Sequence, residues 1–208
     1  ISFVLTQACL PNYERVRLAN PFQRGNGEKK KAIGPDPGTG SNQHFQVDMT
    51  KIWCGCDGCG YLFAMIDSYD KNGLFLLTVL PDTDELLSAV NQTLEKHFPQ
   101  GVKGRGLTIR SNNGCQMTAD DSQSSSIQDA GIKQERTDYN NPDADVYIER
   151  WFRTLKEETV WLQEYSSFLK AKKDIDCYIR FYNAERPHSA LGYLSPKEFR
   201  QLLTSNAA

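Results

Sequence analysis

The segment His44-Phe-Gln-Val-Asp-Met-Thr50 decides the fold class, because apolar and polar residues alternate in it. Its three apolar side chains would share one face of a strand with a period of two residues, and Asp48 would point to the opposite face. A charged carboxylate inside an apolar strand is costly unless a metal or a basic partner compensates it. The segment therefore predicts a half-buried strand that carries a candidate functional acid.

Further strands are predicted on the C-terminal side of this segment. Two apolar runs, 61–66 and 74–80, are joined by the turn-like Asp70-Lys-Asn-Gly73, which favours a three-stranded antiparallel meander. Two more strands are predicted at 106–110 and 131–135.

Helices are predicted between and after these strands. Asp82 and Glu85 would cap a helix that reaches residue 98. After Pro142 the remaining helices are predicted at about 145–165, at about 167–183, and from the capping sequence Ser195-Pro-Lys-Glu198 onward. Strands followed by helices predict an α+β fold with a five-stranded mixed sheet flanked by helices.

Composition divides the chain into three parts. Residues 1–43 are rich in proline and glycine and contain the run Glu28-Lys-Lys-Lys31, which predicts a basic arm or linker. Residues 44–165 would form the core, and 166–208 a helical C-terminal extension of it. The net charge of −2 over 208 residues hides basic ends and an acidic middle, and it disfavours a globally basic nucleic-acid coat.

Hydropathy and cysteine spacing exclude other classes. The apolar runs fall far below the roughly 20 residues that a membrane span needs, and no leader sequence is visible. A chain of this length has a core that does not require disulfides, which predicts a reducing, cytoplasmic setting. The triplet in Cys54-Gly-Cys-Asp-Gly-Cys59 allows zinc as a minority hypothesis, but no fourth ligand is evident, so a glycine-rich hairpin is preferred.

The helix predicted after Pro142 carries an acid and two cations on one face. Glu149, Arg153 and Lys156 share a stripe by their spacing, and Ile148, Trp151, Phe152, Leu155 and Leu162 share another. The stripe is either a solvated face with an ion pair between Glu149 and Arg153, or a metal carboxylate followed by cations that bind phosphate.

Four segments carry a family resemblance over roughly residues 42–203. They are Val47-Asp-Met-Thr50, Ile109-Arg-Ser-Asn-Asn-Gly-Cys-Gln116, the stretch 141–157, and the long closing motif Tyr182-Asn-Ala-Glu-Arg-Pro-His-Ser-Ala-Leu-Gly-Tyr-Leu-Ser-Pro196. In this order they resemble the retroviral-integrase-type (DDE) catalytic core of bacterial insertion-sequence transposases. The resemblance implies an RNase H-like fold.

The same resemblance implies a site made of two aspartates and one glutamate that hold two divalent metals. Asp48 matches the first acid and Glu149 the third, and the metals would be Mg²⁺ or Mn²⁺. Asn112 stands where the family has its second aspartate. Because Asn is nearly isosteric with Asp but neutral, it would keep the geometry and weaken a two-metal site.

Other departures from the family pattern lie nearby. The pair before the glutamate is altered to Ala144-Asp145, and the second acid could instead have shifted to Asp120 or Asp121, which is the least favoured alternative because of their spacing to Glu149. Whether the chain is an active polynucleotidyl transferase is left open by these changes.

The resemblance predicts a transposase core for metal-dependent DNA cleavage and strand transfer. Arg153, Lys156, Arg186 and His188 would contact DNA, although a capping role for His188 is equally expected. The partners implied are DNA and further copies of the chain, in the bacterial cytoplasm. The alternatives are a catalytically silent DNA-binding protein of the same fold and, more remotely, a nuclease that hydrolyses rather than joins.

Overall fold

The computed structural model describes residues 38–79, 91, 94–95, 98–111, 131–136 and 145–206. All of them fall in a compact unit made by residues 34–208. Five strands form one sheet: β1 (His44–Trp53), β2 (Cys59–Asp67), β3 (Gly73–Thr78), β4 (Thr108–Ser111) and β5 (Lys133–Arg136). Three helices follow, α1 (Val146–Glu158), α2 (Phe168–Ala184) and α3 (Pro196–Asn206).

The sheet is mixed, with the strand order β3-β2-β1-β4-β5. β1, β2 and β3 form the antiparallel meander that the sequence predicts, and β4 and β5 add in parallel to β1. The predicted five-stranded mixed sheet is confirmed. β1 is its central strand and is hydrogen-bonded to β2 on one side and to β4 on the other.

The two faces of the sheet are covered differently. On one face, apolar side chains of β1, β2 and β4 form a core cluster together with four residues outside these strands: Phe45, Val47, Phe63, Met65, Leu94, Phe98, Leu107, Ile109 and Ile132. On the other face lies the apolar side of α1, whose buried residues are Ile148, Trp151, Phe152 and Leu155. Trp151 stacks on Phe75 of β3 with ring centroids 3.8 Å apart. The strand alternation therefore directs Gln46 and Asp48 toward the face that α1 covers.

α1 ends earlier than its apolar pattern predicts. The helix stops at Glu158 rather than near residue 165, and a 3-10 turn, Val160–Leu162, follows. Thr159 leaves the helical region at φ −137° and ψ −59°, and two adjacent β-branched residues, Thr159 and Val160, disfavour a further turn. The prediction that Leu162 packs with the apolar stripe is therefore wrong, because its side chain is 67% exposed.

The C-terminal helices begin close to where the sequence predicts. Ser167 caps α2 by accepting a hydrogen bond from Lys170 N. Ser195 and Glu198 form the predicted capping box of α3: Ser195 N donates to Glu198 Oε2 at 2.8 Å, and Glu198 N donates to Ser195 Oγ at 3.3 Å. The helix predicted from Asp82 to residue 98 lies largely outside the described residues. No helix in the described ranges is long and apolar enough to cross a membrane.

α3 is tied to the sheet by a buried polar cluster. Arg200 donates to Asn42 Oδ1 at 2.9 Å and to Asp67 Oδ2 at 3.3 Å, and it also pairs with Asp70. Both aspartates are fully buried. Burial, together with the charge of Asp70, raises the pKa of Asp67 to about 6. The cluster joins the turn after β2 to a helix 130 residues later.

The cysteine-rich loop forms the tip of the β1–β2 hairpin. Gly55 takes φ +64°, and a Cβ there would lie 2.4 Å from Tyr165 O, so only glycine fits against the segment before α2. Asp57 Oδ2 accepts a hydrogen bond from Phe168 N at 2.8 Å. Cys54 is buried and directs its thiol to Ile52 O, whereas the Cys56 thiol donates to Ser166 O at 3.1 Å. The hairpin tip therefore packs against the start of α2.

Candidate active site at the β1–α1 junction

Gln46 joins the central strand to the start of α1. Its Oε1 accepts hydrogen bonds from Tyr147 N at 3.1 Å and from Ile148 N at 3.0 Å, and its side chain is fully buried. Residue 46 lies in β1, and residues 147 and 148 lie in the first turn of α1. This contact fixes where the helix begins on the sheet.

Asp48 follows Gln46 by two residues, so its side chain lies on the same face of the sheet. It is half-buried, and its position pairs with Ala64 in the antiparallel ladder between β1 and β2. The sequence prediction that Asp48 points away from the apolar face agrees with this register.

Glu149 lies in the first turn of α1, directly after Ile148. Its side chain is exposed, and it forms no hydrogen bond or ion pair with any other residue of the described ranges. Because Ile148 is bonded to Gln46 and Asp48 is two residues along the strand from Gln46, Asp48 and Glu149 come from adjoining positions of two contacting elements.

Asn112 lies outside the described residues, as do Asp120, Asp121 and Ala144. The strand that leads to Asn112 is described up to Ser111, which pairs with Val47 in the parallel ladder between β1 and β4. Val47 and Ser111 are therefore the residues directly before Asp48 and Asn112. That Asn112 lies beside Asp48 and Glu149 remains a prediction.

Arg153 and Lys156 continue the side of α1 that begins with Glu149, because they lie four and seven residues further on. Arg153 pairs with Glu157 at 3.0 Å, not with Glu149, and both side chains are largely exposed. Lys156 forms no ion pair with a residue in the described part of the chain. The ion pair between Glu149 and Arg153, one of the two sequence interpretations, is not formed.

Arg186 and His188 lie in the motif after α2. Arg186 binds Glu158 with two nitrogens, Nε to Oε2 at 2.8 Å and Nη2 to Oε1 at 2.5 Å, and Tyr178 OH donates to the same carboxylate at 2.9 Å. His188 packs edge-on against the Tyr182 ring. Burial, with the nearby charge of Arg186, lowers the pKa of His188 to about 4, so this ring is neutral at pH 7. Arg186 thus joins the motif to the end of α1, and His188 packs the motif against α2.

A polar cluster that the sequence reasoning missed lies beside the junction, on β4 and β5. Glu135 accepts hydrogen bonds from Lys133 and from Arg110 at 2.9 Å each, and His44 Nε2 lies 3.5 Å away. The bonds from Lys133 and Arg110 lower the pKa of Glu135 to about 2. In the parallel ladders, Arg110 of β4 lies opposite Gln46 of β1, and Glu135 of β5 lies opposite Arg110. The cluster is therefore on the same face of the sheet as Asp48. The sequence signal for this cluster is the presence of polar residues, Arg110 in one predicted strand and Lys133 and Glu135 at alternate positions of the next.

The oxygen donors of the junction suit a hard divalent cation. Asp48 and Glu149 supply carboxylates from two elements that contact each other, and an amide oxygen of Asn112 would be a weaker donor of the same kind. No cluster of three His, Cys, Asp or Glu residues that could hold a metal occurs in the described residues. The two acids therefore fit Mg²⁺ or Mn²⁺ in donor chemistry, and a third ligand would have to come from elsewhere.

Comparison with known proteins agrees with this architecture. Residues 130–196 match the family described as an integrase core domain. The transposase for insertion sequence element IS904 of Lactococcus lactis is 28% identical over 170 residues, which cover 77% of this chain and 65% of that protein. The transposase InsD for insertion element IS2D of Escherichia coli is 22% identical over 83% of this chain and 60% of that protein. The chain thus spans less than two thirds of the length of these two relatives.

Solved structures show the same fold at low sequence identity. The catalytic core domain of HTLV-2 integrase in complex with magnesium has a TM-score of 0.56 and 13% identity, covering 80% of this chain and 97% of that one. The catalytic core domain of BIV integrase gives 0.56 and 14%, covering 80% and 99%. The fold is RNase H-like. The chain is thus similar to transposases of bacterial insertion sequences, and its residues 130–196 resemble an integrase core domain.

Proposed function

We propose that this chain is the catalytic core of a transposase that cleaves and joins DNA phosphodiesters with the help of divalent metal. The observation that carries the proposal is the β1–α1 junction, where the half-buried Asp48 and the exposed Glu149 come from elements joined by Gln46. The Glu149 carboxylate, which bonds to no other residue of the described ranges, is available to a cation, whereas one already held by Arg or Lys is not.

Asp48, Asn112 and Glu149 would hold the metals. Bound Mg²⁺ or Mn²⁺ would activate a water or a DNA 3'-hydroxyl and stabilise the leaving oxygen. The chain itself would supply the ligand geometry through β1, β4 and the first turn of α1. The neutral Asn112 would lower the negative charge available to two adjacent cations, so we expect weak metal binding in the unaltered chain.

Arg153 and Lys156 would bind the DNA backbone on the same side of α1 as Glu149. The ion pair of Arg153 with Glu157 is exposed at both side chains, and such pairs exchange readily for a phosphate. Arg186 would contribute less, since Glu158 already neutralises it, and the neutral His188 would act through hydrogen bonding rather than charge. The proposal also implies self-association of the chain and a location on DNA in the bacterial cytoplasm.

The decisive experiment is nicking of supercoiled plasmid with Mg²⁺ or Mn²⁺. Asn112→Asp is expected to nick more than the unaltered chain, and adding Glu149→Gln is expected to remove that activity while DNA binding persists. Glu157→Gln in the Asn112→Asp background is the matched control, because it also removes one acid from α1 but leaves the site intact.

DNA affinity gives the second measurement. Affinity is expected to fall steeply with salt, and Lys156→Gln should reduce the slope by about one. If Asn112→Asp neither binds metal nor nicks DNA while it is folded and DNA-bound, the chain is instead a silent DNA-binding protein of the same fold.

A further inference from the structure

The first turn of α1 is capped from another element. Asp145 occupies the N-cap position, and its side chain makes no capping hydrogen bond to the helix. The amides of Tyr147 and Ile148, which a local cap would normally satisfy, instead donate to Gln46 Oε1. One side-chain oxygen from a strand about a hundred residues earlier therefore holds the start of this helix.

The acceptor is itself firmly placed. Gln46 lies in the central strand and is paired with Ile66 of β2 on one side and with Arg110 of β4 on the other. Its side chain is fully buried. Neighbouring strands therefore constrain the position of Oε1, and the position of the helix start follows from it.

Glu149 depends on the turn that Gln46 holds. Its amide donates to Asp145 O at 3.1 Å, a bond that forms only when the turn from 145 to 149 is helical. Fraying of this turn would release Glu149 from its place beside the strand that carries Asp48.

A second contact, to the side chain of Tyr147, holds the same turn. The Lys71 ammonium lies 3.2 Å from the centroid of the Tyr147 ring and also donates to Ser68 O. Lys71 belongs to the turn after β2, so Tyr147 is held between a strand and a turn of the same sheet.

We infer that Gln46 is a positioning residue of the site, which sets the place of Glu149 relative to Asp48 without contacting substrate. The inference rests on the proposed function, because it concerns metal ligation at that site. Groups that orient metal ligands typically change metal affinity by about 10- to 100-fold when they are removed.

The test compares three single substitutions in the full chain. Gln46→Met keeps the size of the side chain and removes the acceptor, whereas Gln46→Glu keeps an acceptor oxygen. Asn183→Leu is the matched control, since Asn183 is another amide that bridges a helix to the sheet. It bonds to Gly73 N at 3.0 Å and to Gly73 O at 2.8 Å, and these bonds do not involve the first turn of α1.

Two quantities are measured. Amide hydrogen exchange at Tyr147 and Ile148 reports the cap in the unaltered background. Mn²⁺ affinity, by titration calorimetry at a temperature where every variant is folded, reports the positioning, both in the unaltered chain and with Asn112→Asp. We expect Gln46→Met to increase hydrogen exchange at both amides and to weaken Mn²⁺ binding about tenfold or more. Gln46→Glu should keep the protection of both amides and the Mn²⁺ affinity, and Asn183→Leu should change neither quantity.

The possible results distinguish a failure of the positioning role of Gln46 from a failure of the proposed metal-dependent function. Amides that stay protected in Gln46→Met, or amides that open while Mn²⁺ affinity stays within twofold, would overturn the positioning role and leave the proposed function standing. If neither the unaltered chain nor Asn112→Asp binds Mn²⁺, the proposed function fails, and the positioning role fails with it. A loss of affinity that Asn183→Leu reproduces would also overturn the inference, since it would then reflect general loosening.

Discussion

α1 carries a glutamate in its first turn and another at its last residue, and the two are held in opposite ways. The Glu149 carboxylate is exposed and bonds to no other described residue, whereas the Glu158 carboxylate accepts hydrogen bonds from two nitrogens of Arg186 and from the hydroxyl of Tyr178. Two glutamates nine positions apart on one helix therefore differ in their contacts. The Glu149 carboxylate has no bonding partner among the described residues, whereas the Glu158 carboxylate joins α1 to α2 and to the motif that follows.

The difference follows from where each end of the helix lies. The first turn of α1 lies against β1, where Gln46 accepts hydrogen bonds from the backbone amides of Tyr147 and Ile148 and the side chain of Glu149 is exposed. The last turn is enclosed by α2 and by the segment after it, so an unpaired carboxylate there would be costly. Four predictions test this contrast, in order of decreasing free-energy effect.

Glu158→Gln should have the largest effect. It removes the charge that Arg186 and Tyr178 face, and leaving a largely buried guanidinium without its partner should cost about 2–3 kcal/mol of the free energy of unfolding. Urea denaturation measures this. Glu157→Gln, which breaks only the exposed pair with Arg153, should cost under about 0.5 kcal/mol, and equal losses at the two positions would contradict the contrast.

Asn112→Asp should change metal binding at the site proposed to include Glu149. A third carboxylate beside Asp48 and Glu149 should raise Mn²⁺ affinity about tenfold, which corresponds to about 1.4 kcal/mol. Titration calorimetry measures the change. Asn113→Asp is the control at the neighbouring residue. An equal gain in Mn²⁺ affinity there would show that added charge in this segment is responsible, and not a carboxylate at position 112, where the family has its second aspartate.

Glu135 offers an intermediate case, a carboxylate held by cations in a partly exposed cluster. Its folded pKa of about 2 lies below its ordinary value near 4.5, so its ionised form stabilises the fold at neutral pH. That stability is present above pH 4.5 and is lost as the pH falls toward 2. Glu135→Gln should therefore flatten the acid limb of the stability curve, by about 1 kcal/mol. An acid limb that Glu135→Gln leaves unchanged would show that other carboxylates govern it.

Glu149→Gln should have the smallest effect on folding. Because no described residue contacts the carboxylate, the free energy of unfolding without metal should change by less than about 0.5 kcal/mol. Thermal and urea denaturation in a chelator measure this, and Mn²⁺ should stabilise the unaltered chain but not the variant. A large loss of stability without metal would mean that Glu149 is a structural residue.

Much of the fold was predictable because the strands and their apolar faces are local patterns. The alternation from His44 to Thr50 placed β1 and the direction of Asp48 correctly, and Ser195 with Glu198 predicted the start of α3. The end of α1 was not predictable from its apolar stripe, since Leu162 continues the spacing although the helix has already ended.

The contacts around the site were harder to predict because they join distant positions. Nothing near Gln46 in the sequence indicates that its partners are residues 147 and 148, although a buried amide between Phe45 and Val47 is unusual in a strand and was a usable signal. The sequence predicts Arg186 as a DNA contact but gives no sign of its pairing with Glu158, because that pair depends on how α1 and α2 pack.

The hairpin tip at Gly55 and Asp57 bears on how the protein reaches its native state. Because the tip packs against 165–168, a segment roughly 110 residues later, the β1–β2 hairpin gains its last contacts only after the chain through the start of α2 is present. Contacts of such high sequence separation slow folding and make it cooperative. A chain cut after residue 165 would leave the hairpin tip without its neighbour, so we expect the first strands and the C-terminal helices to fold as one unit rather than as separable modules.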